Sequence, residues 1–386
     1  MQYRRVGNTS IEISTLGFGT MRFQGPDNAA AIIERGLQLG LTYFDIGAAY
    51  GFQDIESNAE VWVGAALKGR PREGLIISAK AQPRPETGRL EANLGVNTRD
   101  AMWQCLEQSL QRVGVDRFDF YQFWDMSAPE HFAAACEGDD SPLRALQEAR
   151  DQGIVRELGF TTHASPELAV EWMERVPDFR FITVYHNFHD RAPELAIEYA
   201  HAHGVGVAIM GPLRGGLLVG SSEVFGRHLP DLAGVPVQQI AFRYLLSSPA
   251  VTTVLSGMNE IEHLEENAHV AGLPEPMTAE QRERFVAAFQ DFSHGEPLCT
   301  GCRYCAGSCP ESLPVPEHMQ AFNLKVIFGL STMDGQLRGA HGHEQHDPAR
   351  CTACGTCVEK CPQNLPIPDR MEKLAEVAEA LAVETS

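Results

Sequence analysis

Two short cysteine runs, CTGCRYCAGSCP at 299–310 and CTACGTCVEKCP at 351–362, carry the plainest chemistry in the chain. Each follows C-x2-C-x2-C-x3-C-P: Cys299, Cys302, Cys305 and Cys309, then Cys351, Cys354, Cys357 and Cys361. Three thiolates at this spacing reach three corners of an iron–sulfur cubane, and the cysteine before proline usually reaches the neighbouring cubane. The pattern therefore predicts one [4Fe–4S] cluster on Cys299, Cys302, Cys305 and Cys361. A second is expected on Cys351, Cys354, Cys357 and Cys309. Zinc is the competing occupant, but it normally joins two C-x2-C knuckles and leaves the C-x3-C-P tail without a role. His341, His343 and His346 in GAHGHEQHD are weighed as metal ligands against a solvated polar loop, and the loop is favoured. Cys105 and Cys136 read as small packed residues.

A second constellation lies near the N-terminus. YFDIGAAYG ends an apolar run at Asp45 and carries Tyr50 in the following loop, and IISAK brings Lys80 to the tip of the next run. A tyrosine beside a buried lysine, itself paired with an aspartate, is a sensible proton donor. The ammonium is expected to lower the phenol from its reference pKa of about 10, and the aspartate to hold the lysine charged. A carbonyl that receives hydride needs such an acid at its oxygen. The plainer alternative makes Asp45 a loop cap, Tyr50 a packing residue and Lys80 a surface residue. A lysine ending an apolar strand is costly unless paired, which favours catalysis.

The elements that must position these residues are legible as short apolar runs alternating with helical patterns. TLGFG, TYFDI, GLIISAK, FDFYQFW, RELGFTT, FITVYH, GVAIMG and TTVLSG read as strands, separated by segments such as AMWQCLEQSLQRVG with apolar residues at helical spacing. Eight strands, each followed by a helix, predict an α/β fold, a (β/α)8 TIM barrel with its chemistry at the C-terminal strand ends. A doubly wound sheet competes, but GFGTMRF is not its Gly-rich first turn. YRRVGNTSIEIS reads as a hairpin ahead of the barrel. The expected domains are a barrel over 1–275, a linker helix over 276–298 and a small ferredoxin-like iron–sulfur domain over 299–386, ending in a docked helix.

The composition, 44% hydrophobic and 21% charged over 386 residues, is that of a globular protein with ample core. A net charge of -20 argues against nucleic acid and anionic membranes as partners. The longest apolar stretch, around VGVAIMGPL, is too short to span a bilayer. MQYRRVGNTSIEIS has no apolar h-region, so no secretory signal is expected. Cysteines confined to the last quarter, rather than spread as a disulfide framework, point to a reducing cytoplasm.

LGFGTMRF, YFDIGAAYG, IISAK, IVRELGFTTHASPE, MGPLRGG and VLSGMNEIEHLEEN, in this order, resemble the aldo-keto reductases. With the cysteine module, the chain from about Tyr3 to Pro368 is similar to their ferredoxin-like branch. The resemblance implies that Asp45, Tyr50 and Lys80 are catalytic and that NAD(H) or NADP(H) lies across the strand ends. It implies cofactor contacts from Thr161, Thr162, Thr183, Met210, Leu213, Arg214, Ser256, Met258 and Asn267. Several positions depart from the family. Its usual fourth catalytic residue, a histidine, is Trp124 here, whose indole donates one hydrogen bond and exchanges no proton at neutral pH. Trp124 would then shape the substrate pocket. His163 and His186 are candidates to substitute, with loop histidines as the plainer alternative; His163 is carried as catalytic and His186 as lining the pocket. Threonines replace the usual carboxamide holders, and Met210 the stacking tyrosine. Glu260, Glu262 and His263 near the phosphate end favour NADH over NADPH.

Three functions fit. In the first, the enzyme interconverts a carbonyl and an alcohol with NAD(P)H, and its clusters exchange electrons with a ferredoxin or flavoprotein. The second has the clusters drive the reduction with no nicotinamide. In the third, the barrel is only a docking platform for an electron-transfer subunit. The paired lysine speaks against the third.

Overall fold

The structure, a computed structural model, describes residues 1–188, 190–216, 218–219, 230–273, 277–291, 299, 305–361 and 364–383. Two compact units divide the chain: Met1–Pro212 with Phe242–Met277, and Leu213–Ala241 with Thr278–Ser386.

The first unit contains eight parallel strands, Leu16–Gly19, Tyr43–Asp45, Ile76–Pro83, Phe118–Phe123, Val155–Thr162, Phe179–Tyr185, Gly206–Met210 and Thr253–Ser256. Each pairs with the next. The first also pairs with the eighth, Leu16 opposite Val254, which closes the sheet into the TIM barrel that the strand count predicted. Helices such as Pro26–Gln38, Ala59–Leu67 and Arg99–Val113 follow the strands. The strands read as nearly unbroken apolar runs because side chains on both faces are covered, by the barrel interior and by the helices.

The interior is a layer of large side chains. Phe120 and Phe181 stack at 4.5 Å, and Tyr43 meets Phe181 edge-on at 5.7 Å. Val6, Ile11 and Ile13, from the antiparallel hairpin Tyr3–Arg5/Glu12–Ser14, join the same cluster and plug the N-terminal end of the barrel. Gly7 makes that closure possible. Its φ is +48°, and a Cβ there would stand 2.1 Å from the Gly204 carbonyl oxygen. With one end filled, the chemistry is left to the other.

The second unit is helical. Ala279–Asp291 opens with a reciprocal cap, the Gln281 amide N–H donating to Thr278 Oγ1 at 3.1 Å and the Thr278 N–H to Gln281 Oε1 at 3.0 Å. Val315–Ala321 runs into a π-helical turn, Phe322–Ile327, and the unit ends in Ile367–Val383. Met371, Leu374, Ala378 and Leu381 form the buried face of that last helix. Among the described residues no helix is long and apolar enough to cross a membrane.

Candidate functional site

Strand alternation turns Ser78 and Lys80 of the third strand into the barrel, where Ser78 lies opposite Asp45 of the second strand. Lys80 Nζ sits 2.5 Å from Asp45 Oδ1 and donates to Tyr50 Oη at 3.2 Å. Lys80 and Asp45 are buried, at 2% and 4% exposure. Asp45 Oδ2 has no hydrogen-bond partner among the described residues. Tyr50, half-buried, is placed by a tight turn from Gly47 and meets the Trp124 ring edge-on at 5.4 Å. Burial works against the Lys80 charge, but Asp45 and Tyr50 outweigh it and hold the ammonium above its ordinary pKa.

One expectation is corrected. Burial raises the Tyr50 phenol above its ordinary value; Lys80 pulls it down only in part, and the Asp45 and Asp125 carboxylates push it further up. Desolvation beats the single ammonium. The side chain is therefore a neutral phenol at neutral pH, with a proton to give.

The Lys80 backbone is fixed from behind. Asn93 Nδ2 donates to the Lys80 carbonyl at 3.1 Å and to Ser109 Oγ at 2.8 Å, and Arg112 donates to Asn93 Oδ1 at 3.0 Å. Arg112 is itself paired with fully buried Glu60 at 2.6 Å.

A charged pair that the sequence reading missed lies next to Trp124. Arg84 Nη2 meets Asp125 Oδ2 at 2.5 Å, and Ser127 Oγ donates to Asp125 Oδ1 at 2.5 Å. Asp125 adopts a left-handed φ of 56°, and its amide donates to Thr161 Oγ1 at 2.8 Å. The only sequence signal was an aspartate directly after a strand, where a short polar side chain tolerates that conformation. His163 is exposed, takes the Ser127 hydroxyl on its backbone N–H at 3.2 Å, and lies 5.7 Å from the Tyr185 ring. No hydrogen bond joins His163 to Tyr50, Lys80 or Asp45 among the described residues. His186 is buried, its Nδ1 2.9 Å from the Asp190 carbonyl oxygen and its Nε2 3.9 Å from Glu194.

The residues expected to hold a nicotinamide carboxamide are engaged within the protein. Thr162 Oγ1 donates to the Met126 carbonyl at 2.6 Å, Thr183 Oγ1 donates to Gln122 Oε1 at 2.9 Å, and Thr161 Oγ1 accepts from Asp125. All three are buried. A hydroxyl has one hydrogen to give, so Thr162 and Thr183 have none left for an amide oxygen. Thr161, which only accepts, keeps its own hydrogen. Farther along, Asn267 donates to Ser256 Oγ at 3.2 Å and Met258 is buried. Met210 is half-buried against the interior cluster. Glu260 and His263 approach to 3.8 Å on the surface. Leu213 and Arg214 belong to the second unit.

In the second unit, Cys309, Cys351, Cys354 and Cys357 line one hollow together with Leu313, Val315, Ile367 and Met371. These are the four thiols that the spacing assigned to one cluster. Burial raises the Cys357 thiol, and the nearby sulfurs of Cys351, Cys354 and Cys309 raise it further. Cys299 and Cys305 are buried in the same apolar cluster, with Cys361 packed against it; Cys302 lies outside the described residues. No three His, Cys, Asp or Glu side chains among the described residues are set to hold a single metal ion. Sulfurs spread around an apolar hollow suit a cubane, which takes a thiolate at each of its four irons. The donor set fits [4Fe–4S] clusters. His341, His343 and His346 are exposed.

Comparison with known proteins finds a match for the barrel and another for the cysteine module. Residues 15–288 match the profile described as the Aldo/keto reductase family, and residues 298–365 match a 4Fe-4S dicluster domain. The chain is 25% identical over 297 residues to the uncharacterized oxidoreductase YqkF of Bacillus subtilis, covering 70% of this chain and 91% of that protein. It is 25% identical over 293 residues to L-galactose dehydrogenase of Arabidopsis thaliana, covering 69% and 87%. The holo form of aldo-keto reductase AKR11C1 from Bacillus halodurans superposes with a TM-score of 0.61 at 26% identity, covering 75% of this chain and 96% of that one.

Proposed function

Because the chain belongs to the aldo/keto reductase family and carries a 4Fe-4S dicluster domain, we propose that this oxidoreductase interconverts a carbonyl and an alcohol, with Tyr50 moving the proton. The observation that carries the reading is the row Asp45 Oδ1–Lys80 Nζ–Tyr50 Oη, at 2.5 and 3.2 Å, with its first two members buried. Tyr50 donates its proton to the carbonyl oxygen, Lys80 steadies the phenolate left behind, and Asp45 keeps Lys80 charged. Trp124 fixes the Tyr50 ring from its edge. A phenol raised by burial holds its proton at neutral pH, which favours the reductive direction. The name of one relative, L-galactose dehydrogenase, supports a small hydroxyl or carbonyl compound as substrate.

The clusters, when bound, supply single electrons. Cysteines Cys299, Cys302, Cys305 and Cys361 would hold one, and Cys309, Cys351, Cys354 and Cys357 the other. The engaged Thr162 and Thr183 hydroxyls favour a second reading, in which nicotinamide is not the hydride source. On that reading a carbonyl would take up two electrons and two protons, one proton from Tyr50 and one from water, with the electrons supplied by a reduced ferredoxin or flavoprotein and the cysteine-held clusters serving as one-electron carriers. A module of thiols in an oxidoreductase supports a reducing, cytoplasmic setting.

The test is anaerobic. Protein with intact clusters is mixed with NADH or NADPH while cluster absorbance is followed, then reduced with dithionite and offered carbonyl compounds. Nucleotide binding with cluster reduction supports the first electron route, and reoxidation by a carbonyl without nucleotide supports the second. In either case Tyr50→Phe should lower turnover by about 10²–10⁴-fold with both clusters retained. Turnover within tenfold of the parent would sink the proton-donor role.

A further inference from the structure

Resting on the reading that the cysteine motifs hold [4Fe–4S] clusters, we propose that Gln320 sets the reduction potential of the cluster ligated by Cys299, by donating its amide N–H to the Cys299 sulfur. Gln320 Nε2 lies 3.4 Å from Cys299 Sγ and 3.3 Å from the Cys299 carbonyl oxygen. Chemistry fixes which end of the amide faces the cysteine. A ligating sulfur and a carbonyl oxygen are both acceptors, so the nitrogen must point at them. The other end of the amide is the oxygen, which is buried and has no partner among the described residues. The side chain is thus oriented for Cys299 and not for its own oxygen.

The cysteine is held in place for that contact. Asn323, fully buried, donates from Nδ2 to the Cys299 carbonyl at 2.9 Å, and its Oδ1 accepts the Cys299 N–H at 3.3 Å. Gln320 and Asn323 are three residues apart and share a helix face. They sit where Val315–Ala321 passes into the π-helical turn Phe322–Ile327, a local widening that recurs at functional sites. In the second motif the setting of Cys354 differs. Cys354 is exposed, and its sulfur is 3.5 Å from the hydroxyl of Thr356, two residues along its own loop. The two cysteines therefore sit in different settings, Cys299 buried with a donor brought in from a helix and Cys354 exposed beside a hydroxyl of its own loop.

Hydrogen bonds to cluster sulfurs are among the factors that set potential. An N–H donor stabilises the more negative, reduced state and so raises the potential. Gln320 acts through Cys299 and is a positioning residue, so the informative readout is the potential and not the rate. The experiment is an EPR-monitored redox titration of the anaerobic full-length protein, alongside Gln320→Leu and Gln320→Glu, with iron and sulfide counted per chain.

Both variants should keep the parent's iron content and lower the midpoint of one cluster only. The expected shift is about tenfold in the reduced-to-oxidised ratio at fixed poise, 59 mV for one electron, and more for the glutamate, which adds a charge. If Gln320→Leu loses a cluster, Gln320→Glu, of the same size, decides alone. Unchanged midpoints at full iron content overturn the proposal, as does equal loss of a cluster from both variants, which would make Gln320 an assembly residue. A parent protein with no [4Fe–4S] signal would overturn the cluster reading itself, an outcome visible before any variant is compared.

Discussion

Replacing Lys80 with methionine removes the nitrogen 2.5 Å from Asp45 Oδ1 and keeps most of the packing volume. Asp45 is 4% exposed, and its Oδ2 already has no partner among the described residues, so the carboxylate is left buried with neither oxygen satisfied. Breaking a buried ion pair by deleting one member costs about 3–5 kcal/mol. The carboxylate escapes part of that by taking up a proton. One pKa unit is worth about 1.4 kcal/mol, so losing Lys80 pushes the folded-state carboxyl well above both the parent's and the unfolded chain's. Burial already raises this group in the parent, with Lys80 opposing. Between the two pKa values the folded variant binds the proton and the unfolded chain does not, so stability falls as pH rises, by up to about 1.4 kcal/mol per unit. Relative to the parent, Lys80→Met should lose little near pH 4. The deficit should open through pH 5 and 6 and level off at about 3–5 kcal/mol once the folded pKa is passed. Urea unfolding followed by tryptophan fluorescence measures the difference at each pH. Adding Asp45→Asn should flatten it. A deficit that is the same at pH 5 and pH 8, or below about 1 kcal/mol at pH 8, would refute the description of Asp45 and Lys80 as a mutually dependent buried pair.

Two further outcomes follow from groups elsewhere. Arg112→Leu leaves fully buried Glu60 without its 2.6 Å partner; urea unfolding should show a loss of about 3–5 kcal/mol, much of it recovered when Glu60→Gln is added. Burial pushes the Cys105 thiol up to about 12 and raises Cys136 strongly. After anaerobic chelation of iron, iodoacetamide at pH 8 should therefore modify exposed Cys354 quickly by mass spectrometry and leave Cys105 and Cys136 slow, because the thiolate is the nucleophile. Rapid labelling of Cys105 would show that its burial is misjudged.

Much of the barrel was legible because parallel strands covered on both faces are written as apolar runs. Lys80 was conspicuous as the charge ending such a run. Asp45 and Tyr50 could be joined to it because barrel geometry brings neighbouring strand ends together. What the sequence left obscure depends on depth and on distant partners. The direction of the Tyr50 shift turns on desolvation outweighing one ammonium, and burial depth is not written in a motif. The Arg84–Asp125 pair joins residues 41 positions apart through a left-handed backbone that no local pattern demanded. His186 looked like a rim residue, but Asp190 and Glu194 engage its ring. Gln320 is an ordinary helix residue until Cys299, 21 positions earlier, is placed beside it.

The apolar centre of the second unit is built partly from cysteines. Among the described residues, Cys299, Cys305 and Cys357 are buried with Leu313, Val315, Met319, Leu365, Ile367 and Met371, and Cys309, Cys351, Cys361 and Val358 pack against them. A core so constituted is completed by metal insertion as much as by chain collapse, since binding free energy at such sites is folding free energy. Protease should cut the unloaded chain between the cysteine motifs and spare the loaded one. If the cysteine motifs hold clusters as proposed, the quantity of finished protein would follow the supply of iron and sulfide.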